Sequence, residues 1–255
     1  MTVPPLTWLY VPADRPDRVE KALASAAHAV IVDLEDGVAP AAKAQARANL
    51  PGLLGAPQEK PVLVRINSAD DLEVVAGLAI DAVVVPKVER PDDIPAGVRV
   101  HALLESALAV EHAFEIASHP QVQSIGLGEA DLRSQTGALD LDWARARIVN
   151  AAVAARLPRP PQSVYPHVRD LEGLEESCRR GRALGHLGRA AIHPDQLAVI
   201  ERVYLPTAEE VERARATVAR LEEGVGTLAG GEFVDAAMLG AARQMIELAD
   251  RYGTA

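Results

Sequence analysis

Acidic side chains follow several short apolar segments of this sequence. In VIVDLEDGVAP, residues 30–40, three β-branched residues lead to Asp33, Glu35 and Asp36 before the chain breaks at a glycine and a proline. Glu105 follows ALL and Asp131 follows GEA in the same way. If these acids converge, their mutual repulsion is costly, and a bound divalent cation is the simplest way to relieve it. Oxygen ligands without cysteine favour Mg²⁺, with Mn²⁺ as the alternative.

Each acid alone also has a structural interpretation. A single carboxylate at a strand end more often caps a helix or pairs with a basic residue than binds a metal, and the cation hypothesis rests on the whole set. Within it, Glu105 and Asp131 end neighbouring predicted strands and are the candidate direct ligands. Glu35 and Asp36 would then hold the metal's waters from a second layer.

Arg65 differs from a surface arginine because it follows the apolar run Val62–Val64. A guanidinium at such a place can recognise a carboxylate or an enolate oxygen through two parallel hydrogen bonds. The alternative is a structural ion pair with Glu35 or Glu105, and the two roles are compatible.

Eight apolar segments, bounded by turn residues and separated by segments of helical period, predict eight β-strands. Their nearly continuous apolar character favours a parallel sheet covered on both faces. We therefore predict an α/β fold, a (β/α)8 TIM barrel over residues 1–206, with its site at the carboxyl ends of the strands. The helix around Asp92–Gly97 is weak and is expected to be a single turn. The predicted strands are Trp8–Ala13, Ala29–Glu35, Pro61–Asn67, Ala82–Glu89, Val100–Ser106, Ser124–Ala130, Gln162–His167 and Gly188–Pro194.

Residues 207–255 lie outside this repeat. Thr207 and Glu210 have the spacing of a capping box at the start of a helix. A glycine-rich stretch, GVGTLAGGEFVD, reads as a loop and precedes a last helix from Ala236 to about Arg251. This extension either packs on the barrel or acts as a helical lid.

Composition excludes several classes of function. The 255 residues carry a formal net charge of −10 and contain no Lys/Arg-rich run, which argues against nucleic acid and against an anionic membrane surface as partners. No apolar segment approaches the length of a membrane helix and the N-terminus does not resemble a signal peptide, so a cytoplasmic location is expected. Cys178 is the single cysteine and has the spacing of a core residue.

Several stretches together resemble the citrate lyase β-subunit-like proteins of the HpcH/HpaI aldolase superfamily. In order along nearly the whole chain, they are LYVPADRPDRVEKAL, VIVDLEDGVAPAAKAQAR, VLVRIN, VVVPKVE, ALLESA, GEADL, VYPHVRDLEGLEE, and GRAAIHPDQLAVI followed by PTAEEVERA. The resemblance implies a Mg²⁺-dependent TIM barrel that assembles as a homotrimer or higher homo-oligomer. It further implies Glu105 and Asp131 as metal ligands, Arg65 as a substrate-binding residue, and Asp235 of GGEFVD as an acid/base that reaches into a neighbouring subunit.

The sequence departs from the family pattern at several positions. The usual G-A-E-D-L reads Gly128-Glu-Ala-Asp-Leu132, so Ala130 takes the place of a glutamate. The loops after Asn67 and Leu132 are short for the family. Arg189 replaces a lysine, and Phe233 stands where methionine is common.

The function implied is cleavage or formation of a β-hydroxyacyl-CoA, such as citramalyl-CoA or malyl-CoA, with a 2-oxo acid and acetyl-CoA as the small-molecule partners. Arg15, Arg18 and Arg189 lie near the first and eighth predicted strands and are candidates for contacts with CoA. Two alternatives remain open at this stage. One is an aldolase acting on free hydroxy-oxo acids, and the other is a carrier-dependent citrate lyase β-subunit acting on citryl-acyl carrier protein.

Overall fold

A computed structural model describes residues 3–222, 224–228 and 230–253 of the chain. It divides into two compact units, one of residues 5–201 and one formed by residues from 202 onward together with the first four. Among the described residues, no helix is long and apolar enough to cross a membrane.

The larger unit is built on a seven-stranded parallel sheet with the strand order β6-β5-β4-β3-β2-β1-β7. The inward-facing side chains of β1 to β5 and of β7 pack into one cluster that includes Trp8, Ile31, Leu63, Leu103 and Ala190. Side chains on six strands can meet in this way because the sheet curls around them. The strands are β1 Thr7–Pro12, β2 Ala29–Asp33, β3 Val62–Arg65, β4 Ala82–Val85, β5 Val100–Leu104, β6 Val122–Leu127 and β7 Arg189–Ala191.

Helices follow most strands and cover the outer face of the sheet, which explains why β2 is buried along its whole length. Local sequence fixes several helix starts: Pro16 opens α1, while the Ser106 and Asp170 side chains accept backbone N–H groups at the starts of α4 and α8. The helices of this unit are α1 Pro16–Leu23, α2 Lys43–Leu54, α3 Asp71–Val75, α4 Ala107–Glu111, α5 Ala113–Ala117, α6 Glu129–Thr136, α7 Asp142–Ala154, α8 Leu171–Ala183 and α9 Leu197–Tyr204, which runs across the unit boundary.

The predicted helix around Asp92–Gly97 is a single 3-10 turn, Pro91–Asp93, as expected. The predicted seventh strand, Gln162–His167, is wrong as a strand. It forms only an isolated bridge between Gln162 and Arg189. Pro166 lies within the segment and has no N–H to donate, and among the described residues the segment forms no ladder with β6. The described sheet is therefore a curled parallel α/β sheet that no eighth strand closes.

The smaller unit contains a pair of helices, α10 Ala208–Glu222 and α11 Leu239–Tyr252, packed on each other. The predicted capping box is confirmed: the Thr207 N–H donates to Glu210 Oε2 at 2.8 Å and the Glu210 N–H donates to Thr207 Oγ1 at 3.2 Å. Between the helices, the stretch predicted as a loop contains an antiparallel hairpin of β8 Gly226–Thr227 and β9 Phe233–Val234, followed by a 3-10 turn, Ala236–Met238.

Candidate active site

A cavity of about 460 Å³ opens inside the curled sheet, and the carboxyl ends of its strands form the upper part of the lining. This is the place that the sequence predicted for a site. The charged residues that line the cavity are Arg18, Asp33, Asp36, Arg65, Glu105, Glu129 and Asp131. Two predicted site residues of this unit do not line the cavity, Glu35 and Arg15. Glu35 contacts Arg65, which does line it.

Asp33 and Arg65 form a two-pronged ion pair across adjacent strands. Arg65 Nε donates to Asp33 Oδ1 at 2.7 Å and Arg65 Nη2 donates to Asp33 Oδ2 at 2.6 Å. The two residues are register partners at the last positions of β2 and β3. Asp33 was noted among the acids of this stretch but was not predicted as a site residue. Its signal was an acid ending one apolar strand, VIVD, where an arginine ends the next, VLVR.

Glu35 also contacts the Arg65 guanidinium. Its Oε2 lies 3.0 Å from Arg65 Nη1 and its Oε1 lies 2.9 Å from Lys87 Nζ. Asp36 is exposed and lies 4.0 Å from Arg65. Burial lowers the pKa of the Arg65 guanidinium, but the hydrogen bonds and charge of Asp33 outweigh burial and raise that pKa above its ordinary value. Arg65 is thus a fixed positive charge, and its guanidinium also lies 5.1 Å from the ring centre of Tyr10.

Glu105 lies at the end of β5 with 7% of its surface exposed. The hydrogen bond that its carboxylate receives comes from the Lys87 backbone N–H, at 3.2 Å, and Lys87 adopts a left-handed conformation with φ of 56° there. Burial, followed by the negative charges of Glu35 and Asp131, raises the pKa of Glu105 to about 7. Gly128 makes room for this side chain, since a Cβ there would overlap Glu105 Cγ.

Asp131 lies in the first turn of α6 and lines the cavity beside Glu105. Within the described ranges, no ion pair is formed by either of these two carboxylates. Among those same residues, no group of three or more His, Cys, Asp or Glu side chains is arranged to hold a metal. Two carboxylates are sufficient for Mg²⁺, which usually keeps several waters and takes one or two protein carboxylates directly. The pair therefore fits a Mg²⁺ ion.

Glu129, one position earlier on α6 than the family pattern places a glutamate, has a structural partner. Arg145 of α7 donates to it through Nε at 2.8 Å and Nη2 at 2.6 Å. This pair joins α6 to α7, and Ala130 contributes a small side chain to the cavity wall.

The three arginines considered for CoA have different surroundings. Arg15 caps the start of α1 and lies 3.7 Å from Asp17, while Arg18, one turn later, does line the cavity. Arg189 is buried on the outer face of the sheet, where its Nη1 donates to Ser177 Oγ at 2.9 Å and to Gln162 Oε1 at 3.3 Å. The structure thus places Arg18 at the cavity and Arg15 and Arg189 away from its lining.

Asp235 belongs to the smaller unit and directly follows β9. Its side chain accepts the Ala237 N–H at 2.9 Å and so begins the 3-10 turn before α11. Cys178 is buried in α8, and burial raises the pKa of its thiol, as expected for a core cysteine.

Two further cavity residues were not predicted. His101 on β5 shares a 2.6 Å hydrogen bond between its Nδ1 and Ser124 Oγ, and burial lowers its pKa to about 4. Burial also raises the pKa of Tyr10 well above its ordinary value, so this phenol stays protonated. Both lie on the inner face by strand alternation, which the apolar sequence around them did not reveal.

The model of the HpcH/HpaI aldolase/citrate lyase family matches residues 6–194. The chain belongs to this family. The resemblance inferred from its motifs is therefore confirmed.

Two of the similar proteins are named for malyl-CoA. The chain is 33% identical to a (3S)-malyl-CoA thioesterase of Cereibacter sphaeroides, over 95% of this chain and 93% of that protein. It is 31% identical to an L-malyl-CoA/beta-methylmalyl-CoA lyase of the same organism, with the same two coverages. A crystal structure of protein CitE from Mycobacterium tuberculosis, in complex with magnesium, acetoacetate and coenzyme A, superposes with a TM-score of 0.84 at 34% identity, covering 96% of this chain and 98% of that one.

Proposed function

We propose that this protein is a Mg²⁺-dependent carbon–carbon lyase that cleaves, or forms, a β-hydroxyacyl-CoA such as citramalyl-CoA or malyl-CoA. The products of cleavage would be a 2-oxo acid and acetyl-CoA. The observation that carries this proposal is that one cavity contains both Glu105 and Asp131, two carboxylates without a cation, and the fixed positive charge of Arg65. The lyase among the relatives and the ligands of the related crystal structure support it.

Glu105 and Asp131 would hold the metal, with Glu35 and Asp36 beside them. Bound Mg²⁺ supplies Lewis-acid polarisation of the hydroxyl or oxo oxygen at the carbon–carbon bond that breaks. The raised pKa of Glu105 agrees with this role, because a buried carboxylate without a cation is what a bound cation would stabilise.

Arg65 would stabilise the negative charge that develops on the thioester enolate oxygen during cleavage. Asp33 holds both Nε and Nη2, and the guanidinium plane is therefore fixed before substrate binds. Preorganised charge of this kind lowers a barrier because no reorganisation is needed as the reaction proceeds.

Asp235 would protonate the enolate carbon, or remove a proton from acetyl-CoA in the direction of synthesis. We propose that it does so in a neighbouring subunit of a homotrimer or higher homo-oligomer, with residues 207–255 as the lid. Its position in GGEFVD supports this role. An Asp235→Asn enzyme should lose turnover and keep its Mg²⁺ affinity, and an unimpaired variant would remove Asp235 from the mechanism.

The same proposal extends to the fold. The segment Gln162–His167 would occupy the seventh position of a (β/α)8 barrel, since the Gln162 N–H donates to Gly188 O and the Ala190 N–H donates to Gln162 O, both at 2.9 Å. Cytoplasmic localisation stays a prediction.

Thioester hydrolysis is a second candidate because one relative is named as a malyl-CoA thioesterase. A hydrolase would release free CoA and malate, whereas a lyase would release acetyl-CoA and a 2-oxo acid. The two reactions are distinguished by measuring all four products.

The test is an assay of citramalyl-, malyl- and 3-hydroxy-3-methylglutaryl-CoA with Mg²⁺ and with excess chelator. Metal-dependent release of equal amounts of acetyl-CoA and oxo acid would support the lyase. Free CoA without oxo acid would support the hydrolase. Turnover of free hydroxy-oxo acids alone, or of a citryl-acyl carrier protein alone, would replace the proposal with one of the two alternatives drawn from the sequence.

A further inference from the structure

The cavity extends from the carboxylates at the strand ends into the interior of the curled sheet. Its lower part, called here the lower chamber, is formed by inward-facing side chains of the sheet and one side chain of the segment after Pro161. These are Trp8, Ile31, His101, Leu103, Val164 and Ala190.

Strand β5 gives the depth of the lower chamber. Glu105, Leu103 and His101 all line the cavity, and they are alternate residues along one strand and its end. At 3.3 Å per residue, the four steps from Glu105 to His101 span about 13 Å along the strand. The floor is formed by the rings of Trp8 and His101, whose centres are 5.6 Å apart.

The interior of a (β/α)8-type sheet is normally filled by layers of large branched side chains. Here two inner positions on the edge strands β6 and β7 carry Gly126 and Ala190. The wall between these strands is the proline-rich segment that fails to pair with β6. As a result Trp8, Leu103 and Ala190 keep 7%, 8% and 9% of their surface exposed although they belong to the core cluster.

The lower chamber is apolar and carries no positive charge. Among the residues that the structure describes, Arg18 and Arg65 line the cavity at the ends of the strands and neither forms part of the lower chamber. His101 is the titratable residue there, and burial lowers its pKa to about 4, so it is neutral at neutral pH. A second carboxylate of a substrate would find no counter-charge in this space.

We propose that the lower chamber is a substrate subsite for an uncharged alkyl substituent, longer than methyl, on the 2-oxo acid half of the substrate. This inference rests on the proposed function. With the carboxylate and oxo group of the acid held near Arg65 and Glu105, the substituent points down into the lower chamber. The preferred substrates are β-hydroxyacyl-CoA esters whose cleavage gives 2-oxobutanoate, 2-oxopentanoate or a similar acid, in preference to glyoxylate or oxaloacetate.

The test follows condensation of acetyl-CoA with glyoxylate, pyruvate, 2-oxobutanoate, 2-oxopentanoate and oxaloacetate in the presence of Mg²⁺. Burial of each added methylene should raise kcat/KM about fourfold from pyruvate to 2-oxopentanoate. A kcat/KM that falls or stays level with each methylene, or a preference for oxaloacetate over 2-oxopentanoate, would overturn the inference.

Two variants sharpen the test because they should act in opposite directions. Ala190→Val reduces the lower chamber and should lower the ratio of kcat/KM for 2-oxopentanoate over pyruvate, while Leu103→Val enlarges it and should raise this ratio. A merely destabilised enzyme would shift both ratios in the same direction or not at all, which would count against the subsite. Val153→Leu adds a methylene on the exposed side of α7 and serves as the size-matched control.

Direct binding separates failure of this inference from failure of the proposed function. In a Trp143→Phe background, Trp8 is the only tryptophan left of the two, and it lies at the floor of the lower chamber. If no acid condenses, the proposed function fails, and the fluorescence titration still decides the subsite. Tighter binding with each methylene and a change in Trp8 emission support it; equal binding of pyruvate and 2-oxopentanoate with unchanged emission overturns it.

Discussion

Two walls of the same cavity differ in how their carboxylates are paired with cations. On the wall of β2 and β3, Asp33 and Glu35 are matched by Arg65 and, at the rim, by Lys87. On the wall of β5 and α6, Glu105 receives one backbone N–H and Asp131 lies beside it, and neither forms an ion pair among the described residues. Glu129 on the same wall is paired, but its partner Arg145 lies on α7.

This difference indicates a different role for each wall. A buried carboxylate that is paired within the protein fixes a neighbouring cation in place. A buried carboxylate left without a cation raises its own pKa and is stabilised only when a cation arrives from outside. The first wall therefore positions Arg65, and we propose that the second binds a metal ion.

Replacing Arg65 should have the largest effect, because it removes the internal cation on which the first wall depends. Arg65→Met leaves Asp33 and Glu35 buried without that partner, and we expect a loss of about 3–5 kcal/mol in the free energy of unfolding, together with loss of turnover. Urea denaturation measures the first quantity. Arg179→Met removes an exposed i,i+4 pair with Glu175 and should cost less than about 1 kcal/mol. Equal losses in the two variants would contradict the assignment.

Two glutamates that line the cavity give the sharpest contrast. Glu105→Gln should lower turnover at least a hundredfold, by analogy with the 10- to 100-fold cost of losing even a second-layer metal contact, and leave stability within about 1 kcal/mol. Glu129→Gln should instead lower stability, by about 2 kcal/mol, because it weakens the pair with Arg145. Its Mg²⁺ affinity should be retained. Turnover assays and denaturation of both variants check this, and loss of metal affinity in Glu129→Gln would break the comparison.

Metal affinity should depend on pH through Glu105. Its pKa of about 7 means that the proton competes with Mg²⁺ below neutrality. Affinity should fall about tenfold per pH unit below 7 and level off above it. The free energy of unfolding of metal-free protein should depend on pH in the opposite direction. The folded state binds this proton more tightly than the unfolded state, so the contribution of Glu105 to stability rises as pH falls from about 7 toward 4.5. Calorimetric Mg²⁺ titrations at several pH values test the first dependence. Urea denaturation of metal-free protein tests the second, and Glu105→Gln should lose this rise in stability.

The smallest effect is expected at Lys87, whose side chain is 63% exposed. Lys87→Ala removes the ion pair to Glu35 but keeps the backbone N–H that Glu105 accepts. Solvent screening limits the loss to less than about 1 kcal/mol. Thermal denaturation measures it, and a loss above about 2 kcal/mol would show that Glu35 depends on Lys87 as strongly as on Arg65.

The sequence predicted the elements that local patterns determine. The first six strands, the capping box of Thr207, the single turn at residues 91–93 and the buried Cys178 follow from apolar runs and helix-start chemistry. The gathering of Glu105, Asp131 and Arg65 at one cavity also follows, because parallel strands present their carboxyl ends at the same edge.

What could not be predicted depends on which face a residue takes and on partners far along the chain. The predicted seventh strand contains a proline, Pro166, and pairs with β7 through a single bridge at Gln162. Arg189 was expected near the mouth, but its register with Thr7 turns it to the outer face against α8. Glu129 became interpretable only when its partner Arg145, 16 residues away, was known.

The central claim is that Glu105 and Asp131 form a binding site for one divalent cation. The most direct measurement is a Mn²⁺ titration followed by electron paramagnetic resonance, on the wild-type chain and on the Glu105→Gln and Glu129→Gln variants. We expect one Mn²⁺ bound per wild-type chain, displaced by Mg²⁺, one in Glu129→Gln and none in Glu105→Gln. A bound ion that survives in Glu105→Gln with unchanged affinity would contradict it.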